Sequence, residues 1–267
     1  MSEPALQAQI DAAKAYEALF VPALFGEWAP RVADAAQIRA GQRVLDVACG
    51  TGVLAREAAS RIGPSGSVSG LDQGVGMLIV AQELSPDIDW RQGVAESLPF
   101  PDRSFDAVVS QFGLMFFSDR RQALREMLRV LTSDGRVAIG VWDSLEHNPA
   151  YGTSVEILER IAGRPAADAL RAPFVLGNEQ DLRALFTDTG VASVEIASCE
   201  GKARFPSIRT MVEADLRGWL PMMGVWLAED QIDRILTAAE TALGSYATAD
   251  GAMVFTTRAH LVSGRRP

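Results

Sequence analysis

Residues 44–52 read Val-Leu-Asp-Val-Ala-Cys-Gly-Thr-Gly. Glycines at 50 and 52 let the backbone turn tightly and let a ligand approach with no Cβ in the way. A turn of this kind, after a strand and before a helix, is where open parallel sheets hold nucleotides. Asp72, 20 residues beyond Gly52, closes a second apolar run, and a carboxylate there can accept two hydrogen bonds from a ribose diol. Two ligands satisfy these residues. Gly50-Thr51-Gly52-Val53-Leu54-Ala55 also fits the dinucleotide pattern G-x-G-x-x-A, so a nicotinamide-dependent oxidoreductase stays open. Asp46 separates the two readings. An acid just ahead of the glycines repels a pyrophosphate but holds the ammonium of an amino-acid tail. S-adenosylmethionine carries that ammonium and no phosphate.

A second set of residues could serve catalysis or acceptor binding. His147 follows the fifth strand, at the edge of the sheet where ligands sit, and imidazole titrates near neutral pH. It is the candidate general base, set against a loop histidine with no role; His260 reads as structural. Tyr16, Phe112, Phe116, Trp219 and Met223 are candidate walls of an apolar acceptor pocket, with ordinary core or a dimer contact as the alternative. Two cysteines and two histidines show no metal-ligand spacing, so no metal is expected.

Positioning these residues requires a regular α/β rhythm. Short apolar strands are predicted at 43–48, 67–72, 88–92, 105–110 and 135–141, with helices over about 53–59, 75–84 and 120–131. Strands alternating with helices at this spacing imply βαβ units and a parallel sheet. Ahead of the sheet, 5–25 reads as one amphipathic helix and 28–38 as a second. Beyond Trp142 the rhythm lapses. Helices are expected at 150–163, 178–189, 207–220 and 229–245, with strands at 191–197 and 252–262. The helices between those last two strands read as an insertion or lid.

Five ordered pieces resemble the class I methyltransferases, in particular the ubiquinone/menaquinone-biosynthesis-like group of small-molecule enzymes. They are Val44–Gly52; Gly70-Leu-Asp72-Gln73 with Met77; Gln92-Gly-Val-Ala-Glu-Ser-Leu-Pro-Phe100; Ser104–Phe112; and Arg125–Arg136. The resemblance implies a Rossmann-like, seven-stranded, mostly parallel sheet with an antiparallel last strand and a helical lid. It implies methyl transfer from S-adenosylmethionine, leaving S-adenosylhomocysteine, to an oxygen, carbon or nitrogen of a small hydrophobic metabolite. It places Asp46, Ala48, Gly50, Thr51 and Gly52 at the methionine portion, Asp72 on the ribose, and Gln73 and Met77 beside the adenine. Val94, Ala95 and Glu96 fall at the adenine edge, and Gln111 next to the transferable methyl. Tyr16 sits on an N-terminal helix of the kind that covers the cofactor in relatives. The chain departs from the pattern at Ala48, where glycine is common, and at Val94, where an aspartate often meets the adenine amino group.

The 267 residues carry 34 acidic and 25 basic side chains, a formal net charge of −9, and 48% apolar residues. That supports a sizeable core and lacks the basic footprint of a nucleic-acid binder or of a protein held on an acidic membrane surface. No stretch reaches the roughly 18 apolar residues a bilayer span needs, and the first residues do not read as a signal peptide. The expectation is one cytoplasmic domain over 1–267: N-terminal helices at 1–40, a cofactor core at 41–142, the lid-bearing remainder at 143–250, and the last strand at 251–267. A small-molecule acceptor is the expected partner, and lid helices of the family allow a homodimer. A catalytically silent cofactor-binding sensor is the third reading, since no essential base is visible.

Overall fold

The computed structural model describes residues 3–267. Seven strands form one sheet in the order β3-β2-β1-β4-β5-β7-β6. Strands β1 (Arg43–Val47), β2 (Ser67–Asp72), β3 (Asp89–Gln92), β4 (Phe105–Gln111) and β5 (Leu131–Trp142) pair in parallel. The last strand, β7 (Met253–Arg265), runs antiparallel to both β5 and β6 (Ala192–Phe205). Strand order reverses between β1 and β4, and in open α/β sheets the ligand crevice lies at the carboxyl ends of the strands at such a point.

The strands are apolar runs because helices cover both faces. Val44, Leu45 and Val47 of β1 and Val108 and Val109 of β4 are fully buried. Helix α3 (Val53–Ile62) turns Leu54, Ala55, Ala58 and Ile62 inward, the spacing of one helical face. Helix α4 (Val75–Leu84) follows β2, and α5 (Arg120–Val130) starts at Asp119, whose carboxylate caps the Gln122 amide at 2.9 Å.

Several boundaries differ from expectation for physical reasons. The N-terminal helix α1 (Glu3–Phe20) gives way to a wide turn over Val21–Phe25, closed by Gly26 N–H on Val21 O at 2.7 Å, before α2 (Trp28–Ala35). Pro22 supplies no N–H, so the regular ladder cannot continue through it. Strand β5 starts four residues earlier than 135, through a register shift opposite Phe105–Ala107. Strand β6 reaches Phe205 rather than 197; as an edge strand it alternates buried and exposed residues, which weakens its apolar signal.

Trp142 is the last β5 residue paired with β7, yet β7 stays paired with β6 out to Met253 opposite Phe205. This two-stranded ladder projects past the crevice edge of the sheet. The helical part is larger than the expected lid. Besides α9 (Ile208–Ala214), the single turn α10 (Leu220–Met222) and α11 (Glu229–Ala242), it includes α6 (Pro149–Ala162) and α7 (Arg164–Arg171) from the β5–β6 crossover, while α8 (Glu179–Thr187) precedes β6. Helix α7 escaped the sequence reading because Gly163-Arg-Pro165 looks like a break; proline is tolerated in a first helical turn.

Candidate cofactor and acceptor site

Asp46 is 1% exposed at the end of β1, and no hydrogen bond of normal geometry reaches either carboxylate oxygen. Burial pushes its carboxyl well above the usual range; the Ala55 amide in the first turn of α3 and the Arg56 guanidinium pull it back, while Asp72 pushes it further up. The Thr51 hydroxyl, the Ser110 hydroxyl and Gln111 Oε1 are also buried and unpartnered. Buried polar atoms in native proteins are nearly always satisfied. A group of orphans at the carboxyl ends of β1 and β4 therefore marks where a polar ligand belongs.

Asp72 holds the glycine turn in place. Its Oδ2 accepts from Gly50 N–H at 2.8 Å and its Oδ1 from Gly74 N–H at 2.7 Å. Burial raises the Asp72 carboxyl above its usual range, and the amides of Gly74, Gly50 and Gln73 oppose that rise. The two glycines of the turn serve different ends. At Gly50 (φ +54°) a Cβ would meet nothing within 4 Å, so this position faces open space. At Gly52 (φ +89°) a Cβ would lie 2.4 Å from the Trp90 ring, so this glycine admits an indole rather than a ligand. Trp90, on β3, was not anticipated from sequence. Ala48 and Phe112 both have positive φ (58° and 55°) at the ends of β1 and β4. Left-handed backbone at a non-glycine residue stores strain, and here it lines the crevice.

Around this centre, Met77 is half-buried, Gln73 is exposed, Ala95 is buried and Val94 is 45% exposed. The Glu96 carboxylate accepts from the Asp119 amide at 3.1 Å, which ties the 94–96 loop to the start of α5. Gln111 donates from Nε2 to Phe25 O at 3.0 Å, joining β4 to the turn after α1. A third tie is Arg56, also absent from the sequence reading. It donates to Thr51 O at 2.6 Å and pairs with Glu17 at 2.7 Å, fixing α1 over the glycine turn. Burial and the nearby Asp72, Glu17 and Asp46 carboxylates raise the Tyr16 phenol, so Tyr16 lies near both acids of the glycine turn.

Tyr16 opens a circuit of aromatic rings that closes on itself. It runs Tyr16, Phe25, Trp142, Phe174, Tyr151, Phe255, Phe205 and Phe20, with neighbouring centroids 5.3–6.4 Å apart. Phe112 stacks face to face on Trp142 at 3.8 Å. Phe116 meets Trp219 at 5.2 Å, joining the segment after β4 to the helical part, and Met223 is 38% exposed nearby in sequence. Of the five residues singled out for the pocket, Tyr16 and Phe112 belong to the aromatic cluster and Phe116 and Trp219 form a pair. The other cluster members come from α1, the wide turn, β5, α6, the turn after α7, β6 and β7, and no sequence motif marks them.

His147 lies beyond β5 with its Nδ1 3.0 Å from Asp143 and its side chain 46% exposed. The same buried Asp143 oxygen lies 3.3 Å from His260 Nε2, and Arg258 approaches its second oxygen at 3.6 Å. Burial acts to raise Asp143, but the hydrogen bonds from His147 and the Ser144 amide outweigh it and hold the carboxyl below the usual range. The contacts of His147 are thus with this polar cluster. His260 places Nδ1 2.8 Å from Ser198 Oγ and Nε2 3.0 Å from Gly177 O. Among the described residues no group of three or more His, Cys, Asp or Glu is placed to hold a metal, and no helix is long and apolar enough to cross a membrane.

The profile of a family described as "Methyltransferase domain" matches residues 45–139. A ubiquinone/menaquinone biosynthesis C-methyltransferase from Cronobacter sakazakii is 32% identical over 192 residues, covering 65% of this chain and 76% of that protein. The chain belongs to the class I methyltransferases. A demethylmenaquinone methyltransferase from Lactobacillus johnsonii is 42% identical over 118 residues, 42% of this chain and 48% of that protein. The matched stretch thus spans about half the length of the first curated relatives. The YcgJ protein of Bacillus subtilis superposes with a TM-score of 0.59 over 90% of this chain and 98% of its own, at 24% identity, which shows the shared fold. For a class I methyltransferase the crevice residues suit the methyl donor: unpartnered Asp46 for an ammonium, Asp72 beside the turn for a ribose, and open space at Gly50.

Proposed function

We propose that this methyltransferase moves a methyl group from S-adenosylmethionine to an oxygen, carbon or nitrogen of a small hydrophobic acceptor. The observation that carries the reading is Asp46, a buried carboxyl with two unpartnered oxygens at the mouth of the crevice. It suits a cationic amino-acid tail and opposes a pyrophosphate. Nothing in the structure favours the oxidoreductase or the silent sensor.

When bound, the donor supplies a methyl carbon already activated by its sulfonium. The chain's own task is then to align the acceptor and exclude water. The crossing of α1 over the turn, held by Glu17–Arg56, supports water exclusion, and the aromatic circuit supports an apolar acceptor. Relatives named for demethylmenaquinone and for ubiquinone/menaquinone biosynthesis point the same way. His147, oriented by Asp143, is the candidate base for acceptors whose nucleophile must lose a proton. In that role His147→Ala lowers turnover on such acceptors and leaves cofactor affinity unchanged; equal rates in the two proteins assign His147 to the polar cluster alone.

Isothermal calorimetry tests the whole reading. Micromolar binding of S-adenosylhomocysteine with no heat from NAD(H) is the expected result. Binding of NAD(H), or silence toward both sulfonium and thioether ligands, overturns it.

A further inference from the structure

Asp215 is the buried acid that the crevice does not use. It is 5% exposed, and its Oδ2 has no partner. It begins a five-residue wide turn, Asp215–Trp219, that interrupts the helical run between α9 and α10. Turns of this type are uncommon and recur at functional positions. The carboxyl faces a cavity of about 10 Å³ walled by Ser154, Ile157 and Leu158 of α6, Leu170 of α7, Val212 of α9 and Ile235 of α11. That is room for about one water molecule. The titratable group beside it is Tyr151 on α6, whose phenol Asp215 helps to raise. On the surrounding helices Arg171 pairs with Glu159 and Asp168, Arg217 with Glu213 and Glu229, and Arg209 with Glu240, while Glu156, Arg160, Arg164, Asp230, Asp233 and Arg234 are exposed and outside the cavity lining. No cation faces Asp215 from the cavity walls. Burial alone pushes its carboxyl up to about 8.

The far end of the same turn is Trp219. Its indole N–H donates to Ala169 O of α7 at 2.9 Å, and its ring packs on Phe116 at the end of β4. One short segment therefore carries an unpaired acid at one end and the contact between helices and sheet edge at the other.

We propose that Asp215 is a proton-operated latch on the helical lid: neutral, it keeps the 215–219 turn packed and Trp219 against Phe116; ionised, it draws water into the cavity and releases both. The lid is closed in mild acid and opens as alkali removes the proton.

Amide hydrogen exchange tests the latch on the full chain without any acceptor. Between pH 6 and 9, after correction for intrinsic rates, protection of residues 208–222 in the wild type is expected to fall by up to about tenfold per pH unit as pH rises toward 8 and to level off above it. In Asp215→Asn, permanently neutral and of the same shape, protection stays flat. Amides of β1 and β4 behave alike in both proteins. A flat wild-type profile, or the same slope in the variant, overturns the proposal. Should the variant not fold, carbon-13 NMR of the wild-type Asp215 carboxyl serves instead. A midpoint near 8 with a coincident shift of the Trp219 indole N–H supports the latch. A midpoint in the ordinary carboxylate range, or an indole signal that ignores it, overturns it.

Discussion

Asp46 and Asp72 sit on neighbouring strands, have similar chemistry, and do different work. Asp72 spends its oxygens on the Gly50 and Gly74 amides, so it shapes the turn before any ligand arrives. Asp72→Ala removes two charge-assisted bonds and should weaken S-adenosylhomocysteine binding by about 1–3 kcal/mol, measured by calorimetry. An unchanged dissociation constant removes Asp72 from the site. Burial shifts Asp46 toward its protonated form, an approaching ammonium shifts it back toward the carboxylate, and a diphosphate would oppose that ionisation. Binding of an ammonium then releases its proton, and affinity for S-adenosylmethionine rises with pH while that carboxyl is still protonated in the free protein. Calorimetry in buffers of different ionisation enthalpy is expected to detect the released proton in the wild type and to lose that signal in Asp46→Asn.

At the scale of elements, the glycine turn and α1 are held by contacts that no local pattern announces. Gly52 has to be glycine because Trp90 from β3 occupies the space of its Cβ and because its φ is +89°. Gly52→Ala should destabilise the fold by about 1–3 kcal/mol through overpacking and backbone strain, read from denaturant midpoints. Shortening the indole partner with Trp90→Leu should recover part of that loss. An additive double mutant would show that Trp90 is not the obstacle. Glu17 and Arg56 are about three-quarters buried and join α1 to α3. Glu17→Ala leaves Arg56 half-satisfied and should raise amide exchange along α1 while leaving β1 protected.

At the scale of the whole molecule, buried acids whose carboxyls are raised set how stability depends on pH. Asp215 titrates at about 8 in the folded chain, against about 3.9 for an unfolded aspartate. The folded state therefore holds its proton more tightly. The corresponding stability is complete below about pH 4 and is lost as pH rises toward 8, by about 1.4 kcal/mol per unit at most. Asp46 and Asp72 are raised in the same direction and add to the slope. Denaturant midpoints are expected to fall from pH 5 to pH 8, less steeply in Asp215→Asn. A midpoint rising over that interval contradicts the burial argument.

The sequence by itself determined the parallel half of the sheet, the glycine turn and the two acids beside it. These features are local: apolar runs of strand length, turn residues at fixed offsets, and a carboxylate whose charge sorts ligands wherever the chain folds. What only tertiary structure decided are contacts between residues far apart in the chain, such as Trp90 against Gly52, Glu17 with Arg56, and Asp143 between two histidines. The aromatic circuit drawn from separate elements belongs with them. It also decided that Asp215, an ordinary surface-type residue by sequence, is shut inside a helical bundle. Burial is a property of the packed molecule, and a carboxyl changes its chemistry only once water has been taken away from it.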